Sequence, residues 1–550
     1  MEVGVVLSRG DATLDIRRGN ITADSRGACP SRAAPDARSP SPRRAGYSDS
    51  PGGPETTRRR HGLSAATDFI ERRDLFIGGG FQPSRAGGTI EVRSSSSEVA
   101  LGRVPDASTA DIDAAVSAAR TAFDSGPFPH WSPKERGEAI AKLSNALKAR
   151  SGPLAALISQ ETGCPSQQSM GVQVFAATMV LDVYARLAGE FAFVDERAGA
   201  FGARVRVRRA PVGVCAGIIP WNVPLFIAAM KLGPALAAGC TMVLKASPET
   251  ALDAYLLAEA VAEIGLPPGV INIVAAGRET SEYLVRHPGI DKVSFTGSTV
   301  TGGRVGGICG EQIKRCTLEL GGKSAAIVLE DVDLGAALQP LLGSALLNNG
   351  QACGAQTRIL APRSRYKEIV EALGAAVGGM KLGDAMDPAT NVGPVVSARQ
   401  RDRIAGYLAS GKEQGARAVC GGNVPKSLAK GYFIEPTVFA DVDNSMKIAQ
   451  EEIFGPVLSV IPYGSEDEAV AIANDSPYGL CGSVWTKDVE HAAQIAVRVR
   501  TGCVAVNSAT ILDFHAPFGG FKKSGIGREL GPEGIGPYTE YQSIILPAKA

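Results

Sequence analysis

The amino-acid sequence predicts an α/β fold built around a doubly wound, dinucleotide-binding sheet. Its 550 residues exceed the commonest domain size several times, so we expect two or more globular units. The middle of the chain alternates between apolar runs typical of buried parallel strands and helices with apolar periodicity. A Gly- and Ser-containing turn, residues 295–302, joins one such strand to a helix. The strands are expected at 213–219, 241–245 and 291–295, and the helices at about 225–238 and 251–264.

The first 65 residues are unlike the rest of the chain. They hold eleven arginines, no lysine, and runs rich in Ser, Pro and Gly, without hydrophobic periodicity. This composition favours disorder over a secretory signal, and its acidic residues count against an organellar transit peptide. We expect residues 1–65 to be a disordered extension that carries no chemistry.

Regular elements are expected after this extension. Residues 75–77 are apolar and precede a Gly-rich turn, which predicts a short strand. Ser108 with Asp111, and Ser132 with Glu135, have the spacing of capping boxes, and each pair predicts the start of a helix.

Two peripheral segments have the alternation of strands. Apolar residues alternate with arginines near the end of 191–209, and 538–546 is rich in β-forming residues. Peripheral strands of this kind often pair with a neighbouring subunit. The predicted division is a cofactor-binding domain over 66–190 and 211–322, a catalytic α/β domain over 323–525, and small β oligomerisation strands over 191–210 and 535–550.

The composition excludes several classes of function. A net charge of +1 gives no general attraction to nucleic acid or an anionic membrane, and no apolar run approaches the roughly 18 residues of a membrane span. The ten cysteines are scattered singly, and none of the five histidines stands at metal-ligand spacing. We expect a soluble, cytoplasmic protein that acts on a small molecule, without nucleic-acid, membrane or metal partners.

Cys353 is a candidate nucleophile. It is the only cysteine flanked by Gly, Gln and Asn instead of aliphatic residues, in the stretch Asn349-Gly350-Gln351-Ala352-Cys353-Gly354. A reactive thiol needs access and a lowered pKa, which polar neighbours and a nearby helix start can supply. Taken alone, one cysteine among ten is more often an inert thiol, so further evidence is needed.

Two further residues could complete such a site. Glu319 stands between two leucines just before Gly321-Gly322, a setting expected to desolvate its carboxylate and raise its pKa toward that of a general base. The alternative is a carboxylate that caps a turn or pairs with Lys323. Asn222 could donate its amide to an oxyanion, although asparagine before an X-Pro pair is also ordinary turn chemistry.

The turn over 295–302 is a candidate phosphate site. It places small residues and backbone N–H groups at a helix N-terminus, where the helix dipole favours anions. The turn is not a G-x-G-x-x-G fingerprint, and by itself it fits a simple helix cap equally.

Together these segments resemble the aldehyde dehydrogenase superfamily, over about residues 66–550. Glu319 and Cys353 stand 34 positions apart, which is similar to the family spacing. The stretches that carry the resemblance are Ile219-Pro220-Trp221-Asn222-Val223-Pro224, Lys245-Ala246-Ser247-Pro248-Glu249-Thr250, Phe295-Thr296-Gly297-Ser298, Leu318-Glu319-Leu320-Gly321-Gly322-Lys323, Asn349-Gly350-Gln351-Ala352-Cys353, Glu451-Glu452-Ile453-Phe454-Gly455-Pro456-Val457 and Pro517-Phe518-Gly519-Gly520-Phe521-Lys522.

The resemblance implies an NAD(P)-dependent enzyme that oxidises an aldehyde to a carboxylic acid. Cys353 would attack the carbonyl, Asn222 would hold the oxyanion, and Glu319 would activate the water that hydrolyses the thioester. It also implies a homodimer or homotetramer. The cofactor contacts implied are Ile219, Pro220, Trp221, Lys245, Ser247, Phe295, Gly297, Ser298, Leu320, Glu452 and Phe454.

One departure from the family pattern concerns the choice of cofactor. NAD-preferring relatives have a ribose-binding glutamate three residues after the lysine, and this position is Pro248 here. Glu249 is adjacent but should point elsewhere. A ribose-binding carboxylate repels a 2′-phosphate, so the sequence predicts that NAD is used and NADP tolerated.

The resemblance also implies an apolar substrate tunnel. Its expected lining is Val223, Phe226, Ile227, Met230 and Leu512, although residues at helical spacing fit core packing equally. Such a tunnel favours aliphatic, aromatic or terpenoid aldehydes. A quaternary-ammonium aldehyde is disfavoured, since this set lacks an aromatic cage.

Two other functions are consistent with the same fold. A CoA-acylating dehydrogenase would resolve the thioester with a thiol, but such relatives commonly lack the base at Glu319. A catalytically silent dinucleotide-binding scaffold is the other, since a fold does not fix function. The presence of Asn222, Glu319, Cys353 and Glu452 together argues against it.

Overall fold

The computed structural model describes residues 69–85 and 87–548. The extension over 1–65 lies outside these residues, so its disorder stays a prediction. The strands in chain order are β1 (Ile70–Glu71), β2 (Asp74–Ile77), β3 (Gly80–Pro83), β4 (Thr89–Arg93), β5 (Ala100–Pro105), β6 (Val194–Ala198), β7 (Arg204–Pro211), β8 (Val214–Ile218), β9 (Thr241–Ala246), β10 (Ile271–Ala275), β11 (Lys292–Thr296), β12 (Arg315–Glu319), β13 (Ala325–Val328), β14 (Arg358–Pro362), β15 (Arg417–Cys420), β16 (Thr437–Ala440), β17 (Val457–Tyr463), β18 (Cys481–Trp485), β19 (Cys503–Val506), β20 (Gly525–Ile526) and β21 (Thr539–Leu546).

Helices lie between these strands through most of the chain. They are α1 (Thr109–Asp124), α2 (Pro133–Lys148), α3 (Ser151–Thr162), α4 (Ser166–Gln168), α5 (Ala176–Glu190), α6 (Pro224–Ala238), α7 (Asp253–Glu263), α8 (Arg278–Arg286), α9 (Thr299–Glu311), α10 (Leu334–Ala345), α11 (Tyr366–Gly378), α12 (Ala398–Glu413), α13 (Lys447–Gln450), α14 (Glu466–Asn474) and α15 (Val489–Arg498). A π-helical turn, Ser169–Phe175, joins α4 to α5, and a 3₁₀ turn, Leu347–Gly350, follows α10.

The predicted helix starts at Ser108 and Ser132 are confirmed. Each serine accepts a hydrogen bond from the backbone N–H three residues later, and Asp111 or Glu135 bonds back to the serine N–H. These reciprocal bonds satisfy donors that the first turn of a helix otherwise leaves free.

The first large sheet, sheet I, has the strand order β20-β12-β11-β8-β9-β10-β2-β3. Its five central strands are parallel. Because β8 comes first in the chain and has β9 on one side and β11 on the other, the order reverses between β8 and β11. In open α/β sheets, ligands bind at the carboxyl ends of the strands on either side of such a reversal.

Helices cover both faces of sheet I, as in the predicted doubly wound fold. Successive residues of β8 point to opposite faces, since Cys215 packs with residues of α2, α5 and α6, whereas Val214 and Ala216 pack with α1, α8 and α9. All five residues of β8 are buried, which explains the continuous apolar run in the sequence.

The second large sheet, sheet II, has the order β15-β16-β17-β14-β13-β18-β19 and is parallel except for β15. Its two faces pack against α10 and α11 on one side and α12, α14 and α15 on the other. A three-stranded antiparallel sheet, sheet III, joins β6, β7 and β21 from the two peripheral segments. A fourth sheet contains β1, β5 and β4.

One described helical stretch, Ser166–Glu190, is long and apolar enough by composition to cross a membrane, and half of its most apolar window is buried. The core helix of a soluble protein passes the same test. Its α5 portion packs between α2 and α6, so we describe it as a core helix of the sheet I layer.

Candidate active site

The predicted nucleophile, Cys353, lies in the loop between the 3₁₀ turn Leu347–Gly350 and β14. Asn348 and Asn349 adopt left-handed backbone conformations, with φ of 52° and 59°. Asparagine tolerates this region better than most residues because its short polar side chain can hydrogen-bond locally. The loop leaves the side chain of Cys353 partly accessible, although Asn348 and Asn349, which precede it, are buried.

Buried amide side chains fix this loop. The Asn349 Nδ2 donates to the carbonyls of Gly163 at 2.7 Å and Pro394 at 2.9 Å. The Gln351 Oε1 accepts from the Val396 N–H at 2.9 Å. Buried polar groups must find partners, so these bonds anchor the nucleophile loop to segments from distant parts of the chain.

Asn222 follows β8 and is 4% exposed. The Asn222 Nδ2 donates to the backbone carbonyl of Gln351 at 2.8 Å. The backbone carbonyl of Asn222 accepts from Gln173 Nε2 and Asn348 Nδ2, both at 2.9 Å. An amide nitrogen carries two protons, and within the described chain Gln351 is the acceptor recorded for this one. The second proton is available to an oxyanion.

Glu319 ends β12 and is 3% exposed. Among the described residues neither carboxylate oxygen has a hydrogen-bond partner, so the alternative pairing with Lys323 does not occur. Burial raises the pKa of Glu319 well above its ordinary value, and the nearby charge of Glu529 raises it further, while Lys231 and Arg528 oppose the shift. The raised pKa agrees with the sequence prediction for a general base.

The expectation of a lowered thiol pKa at Cys353 was wrong. Burial raises the pKa of Cys353 to about 12, and the negative charges of Glu452 and Glu319 add to the effect. The thiol also follows a 3₁₀ turn and precedes a strand, so no helix N-terminus starts at it. The resting group is therefore a neutral thiol beside two carboxylates.

A buried ion pair next to Glu319 was missed by the sequence analysis. The Lys231 Nζ donates to Glu529 at 2.9 Å, Thr296 Oγ1 at 2.8 Å and Ser294 Oγ at 3.1 Å. The signal available was a single lysine in the otherwise apolar helix α6, because lysine is almost never fully buried unless it is paired.

The reversal of strand order in sheet I brings together the predicted cofactor residues. Trp221 follows β8, Ser298 follows β11, and Leu320 follows β12, so all three lie at carboxyl ends of adjacent strands. Ser298 caps α9, with its Oγ accepting from Thr301 N at 3.3 Å. The N-terminus of α9 thus offers free N–H groups to a phosphate.

Glu452 and Phe454 reach the same region from sheet II. The Gly322 N–H donates to Glu452 Oε1 at 3.0 Å, and burial raises the pKa of Glu452 to about 7. The rings of Trp221 and Phe454 meet edge to face with centroids 5.3 Å apart. These residues place a carboxylate and two aromatic rings near the nucleophile loop.

Lys245 lies at the end of β9 and is 7% exposed, and its burial lowers its pKa to about 8. Glu249 accepts from Ser247 Oγ at 2.6 Å and pairs with Arg399 at 2.8 Å. The Glu249 carboxylate, next to Pro248, therefore pairs with Arg399. This agrees with the prediction that Glu249 points elsewhere than the adenosine ribose.

The remaining predicted cofactor residues are distributed along the same edge of sheet I. The Gly297 N–H donates to the carbonyl of Glu319 at 3.0 Å, which ties the phosphate-site turn to the strand that carries the base. The others are Ile219, 3% exposed, Pro220, partly exposed, Phe295, 6% exposed, and Leu320, 7% exposed.

The predicted tunnel residues of α6 are buried. Phe226 faces the ring of Phe514 with centroids 6.2 Å apart, and Leu512 is partly exposed on the same loop as Phe514. Val223 is 8% exposed, whereas Met230 has no exposed surface. Phe514, absent from the sequence prediction, lies in an irregular loop where no periodicity could indicate it.

The donor set fits a dinucleotide. Free N–H groups at α9 and the Ser298 hydroxyl suit phosphates, the buried Lys245 ammonium suits ribose hydroxyls, and the Glu452 carboxylate suits a second ribose. No group of three or more His, Cys, Asp or Glu residues that could hold a metal ion occurs among the residues described.

Comparisons with known proteins agree with this geometry. The model of the aldehyde dehydrogenase family matches residues 81–544. A geranial dehydrogenase from Castellaniella defragrans is 47% identical over 477 residues, which cover 87% of this chain and 99% of that protein. A 3-succinoylsemialdehyde-pyridine dehydrogenase from Pseudomonas sp. is 40% identical over 86% of this chain and 98% of that protein.

Solved structures give the same result. An aldehyde dehydrogenase of Mycobacterium tuberculosis complexed with NAD+ is 49% identical, with a TM-score of 0.86 over 88% of this chain and all of that one. An NAD+ complex of an aldehyde dehydrogenase from Bacillus cereus is 40% identical, with a TM-score of 0.85 over 87% of this chain and 97% of that one. This chain therefore belongs to the aldehyde dehydrogenase family and oxidises an aldehyde to the carboxylic acid with NAD+.

Proposed function

We propose that Cys353, Glu319 and Asn222 carry the chemistry of this oxidation. The observation that supports the proposal most strongly is the unpartnered, buried carboxylate of Glu319 close enough to Cys353 for its charge to raise the thiol pKa. Burial of a carboxylate without a hydrogen-bond partner costs folding free energy. Groups that are kept in such an unfavourable setting are typical of functional sites.

In the first half of the reaction the partly exposed Cys353 thiol loses its proton to solvent, and its sulfur attacks the aldehyde carbonyl to form a thiohemiacetal. The second Nδ2 proton of Asn222 and the Cys353 backbone N–H donate to its oxygen, which carries the developing negative charge. NAD+, held by the residues described above, would supply the hydride acceptor, and loss of hydride from the thiohemiacetal carbon would leave a thioester on Cys353.

In the second half Glu319 accepts a proton from a water molecule that attacks the thioester. The C–S bond breaks, the carboxylic acid leaves, and protonated Glu319 returns its proton to the Cys353 thiolate, which restores the thiol and the base. Burial favours the protonated form of Glu319, so its raised pKa makes it a stronger base than an exposed glutamate.

Two substitutions test these roles. Cys353→Ala should abolish oxidation while NAD+ affinity, measured by calorimetry, stays near wild type, because the thiol contributes nothing to the proposed dinucleotide contacts. Glu319→Gln keeps the side-chain shape and removes the base, so deacylation should slow by about 100-fold or more and a burst of NADH should precede a slow steady state. Wild-type turnover in Glu319→Gln would refute the assigned base.

The proposed substrate is an apolar aldehyde with an aliphatic, aromatic or terpenoid body. Support comes from the apolar side chains of Phe226, Phe514 and Leu512, which belong to the same hydrophobic cluster as Cys353, and from the similarity to a geranial dehydrogenase. Steady-state kinetics with octanal, benzaldehyde, geranial and betaine aldehyde test this. A higher kcat/KM for betaine aldehyde than for the other three would overturn it, because a cation is costly on an apolar wall.

The cofactor proposal adds that NADP is tolerated beside NAD. Pro248 stands where a ribose-binding carboxylate would repel the 2′-phosphate, and Glu249 is engaged by Arg399. Equal-condition kinetics in which NADP is roughly a thousandfold poorer than NAD would contradict this.

The proposed assembly is a homodimer or homotetramer through sheet III. Tyr541 and Ile545 lie on one face of this sheet and are 66% and 74% exposed, and exposed apolar side chains on an edge strand favour contact with another subunit. Light scattering should give a dimer or tetramer mass, and a monomer at micromolar concentration would contradict it.

The proposed compartment is the cytoplasm, since the nine described cysteines are free thiols, and cell fractionation tests it.

A further inference from the structure

Three pairs of thiols are in contact within the described part of the chain. Cys215 contacts Cys240, Cys309 contacts Cys316, and Cys481 contacts Cys503. The reaction proposed above uses none of these six side chains. Contact between two thiols is the geometry from which a disulfide can form, provided that the two backbones are also close enough.

The Cys481 and Cys503 pair meets the requirement best. These residues open the neighbouring parallel strands β18 and β19, and they are direct register partners. Adjacent strands lie about 4.8 Å apart, which is within the range of about 4.4 to 6.8 Å between the Cα atoms of disulfides.

The other two pairs are less suited to oxidation. Cys309 belongs to α9 and Cys316 to β12, so these two residues are not register partners on adjacent strands as Cys481 and Cys503 are. Cys215 and Cys240 have no exposed surface, so an oxidant in solution does not reach them.

The Cys481 and Cys503 pair also lies beside the nucleophile. The Cys481 Sγ is 3.0 Å from the position that a Cβ on Gly354 would occupy, and Gly354 follows Cys353 in the chain. Cys481 is buried, whereas Cys503 is partly exposed and its thiol points toward the Pro517 carbonyl at 4.0 Å.

The surroundings of Cys503 favour its thiolate. Its contact with Cys481, the Gly519 backbone N–H and the charge of Arg528 together lower the pKa of Cys503. A partly exposed thiol with a lowered pKa is the kind that oxidants attack first, and an adjacent thiol resolves the product.

We propose that Cys481 and Cys503 form a reversible disulfide when the enzyme meets a peroxide. The Cys503 thiolate attacks one peroxide oxygen, the O–O bond breaks, and Cys503 becomes a sulfenic acid with release of hydroxide or water. The Cys481 sulfur then attacks the sulfenic sulfur, the S–O bond breaks, and a second water leaves. The two thiols lose two electrons and two protons, and the peroxide is reduced to two waters.

The disulfide would change the packing beside the nucleophile loop. Bonding to Cys503 draws the Cys481 sulfur toward β19 and away from its contact with Gly354. A dithiol reductant reverses the change, since a partly exposed disulfide is accessible to thiol exchange.

Peptide mapping of the full-length enzyme tests the proposal. Trypsin separates the three relevant cysteines into single-cysteine peptides, 324–358 with Cys353, 448–487 with Cys481 and 501–522 with Cys503. The enzyme is treated with hydrogen peroxide, unfolded in urea so that N-ethylmaleimide blocks buried as well as exposed free thiols, and digested without reduction. We expect peptides 448–487 and 501–522 linked together, and separated again after dithiothreitol.

Three variants sharpen the result. Cys503→Ser should abolish the link and leave Cys481 alkylated, whereas Cys420→Ser, at a partly exposed cysteine on β15, should leave the link unchanged. Cys353→Ala should still form the link, since the nucleophile takes no part.

Two outcomes would overturn the proposal. One is a wild-type enzyme whose Cys481 stays alkylated while Cys353 or Cys503 is oxidised further to a sulfinic acid. The other is a link between Cys353 and Cys481. Because both are read on the wild-type chain, the test does not depend on the folding of any variant.

Discussion

Replacement of Lys231 by Met tests the buried ion pair that Lys231 forms with Glu529, next to the proposed base Glu319. The Lys231 and Glu529 side chains are 0% and 1% exposed, and the Lys231 Nζ makes three hydrogen bonds. Methionine fills a similar volume but leaves the Glu529 carboxylate charged and buried without its partner. Removing one member of such a pair costs about 3 to 5 kcal/mol of unfolding free energy, whereas an exposed pair contributes about 0 to 1 kcal/mol.

Urea denaturation followed by circular dichroism at one fixed protein concentration measures this cost. Arg417→Met is the matched control, because its partner Asp441 lies at 2.8 Å and both side chains are at least half exposed. The double variant Lys231→Met with Glu529→Gln should be more stable than Lys231→Met alone, since no buried charge is left unpaired. A Lys231→Met enzyme within about 1 kcal/mol of wild type would refute the reasoning.

The same substitution should change the pH dependence of turnover. The positive charge of Lys231 lowers the pKa of Glu319. Removal of that charge should raise the pKa, so that Glu319 loses its proton only at higher pH. The rising limb of the kcat profile should therefore move to higher pH in Lys231→Met, and a shift to lower pH would contradict the placement of that charge.

Two further predictions concern the nucleophile and the cofactor. Because the pKa of Cys353 is about 12, its alkylation by iodoacetamide in the enzyme without cofactor should accelerate roughly tenfold per pH unit from about pH 7 to 10, and a plateau in that range would contradict it. Pro248→Glu should restore a carboxylate near the adenosine ribose and lower kcat/KM for NADP relative to NAD by about tenfold, or about 1.4 kcal/mol. An unchanged ratio would place that carboxylate away from the 2′-phosphate.

The elements of sheet I were predictable because their signals are local. The capping serines and the apolar run of β8 predict structure from a few neighbouring residues, and the structure has the same elements. Helix α7 begins at Asp253, two residues after the prediction, because Pro248–Thr250 forms a 3₁₀ turn before it. Boundaries depend on such turns, which periodicity does not indicate.

The electrostatics of the site were harder to predict because they depend on distant residues. The pKa of Cys353 rises partly through Glu452 and Glu319, which come from separate stretches of the chain. Glu319, in contrast, is flanked by leucines in sequence, and that local setting was enough to predict the raised pKa of its carboxylate. The pairing of Lys231 with Glu529 spans 298 positions, so the sequence indicated a buried lysine but not its partner.

The amide bonds of the nucleophile loop also bear on how the enzyme gains activity as it folds. Asn349 binds the carbonyls of Gly163 and Pro394, which precede and follow it by 186 and 45 positions. Contacts between such distant segments form after local helices and strands, because closing long loops costs chain entropy. During refolding, secondary structure should thus return before catalytic activity. Because the Asn349 bonds fix the nucleophile loop, recovery of turnover should report when the tertiary contacts have formed.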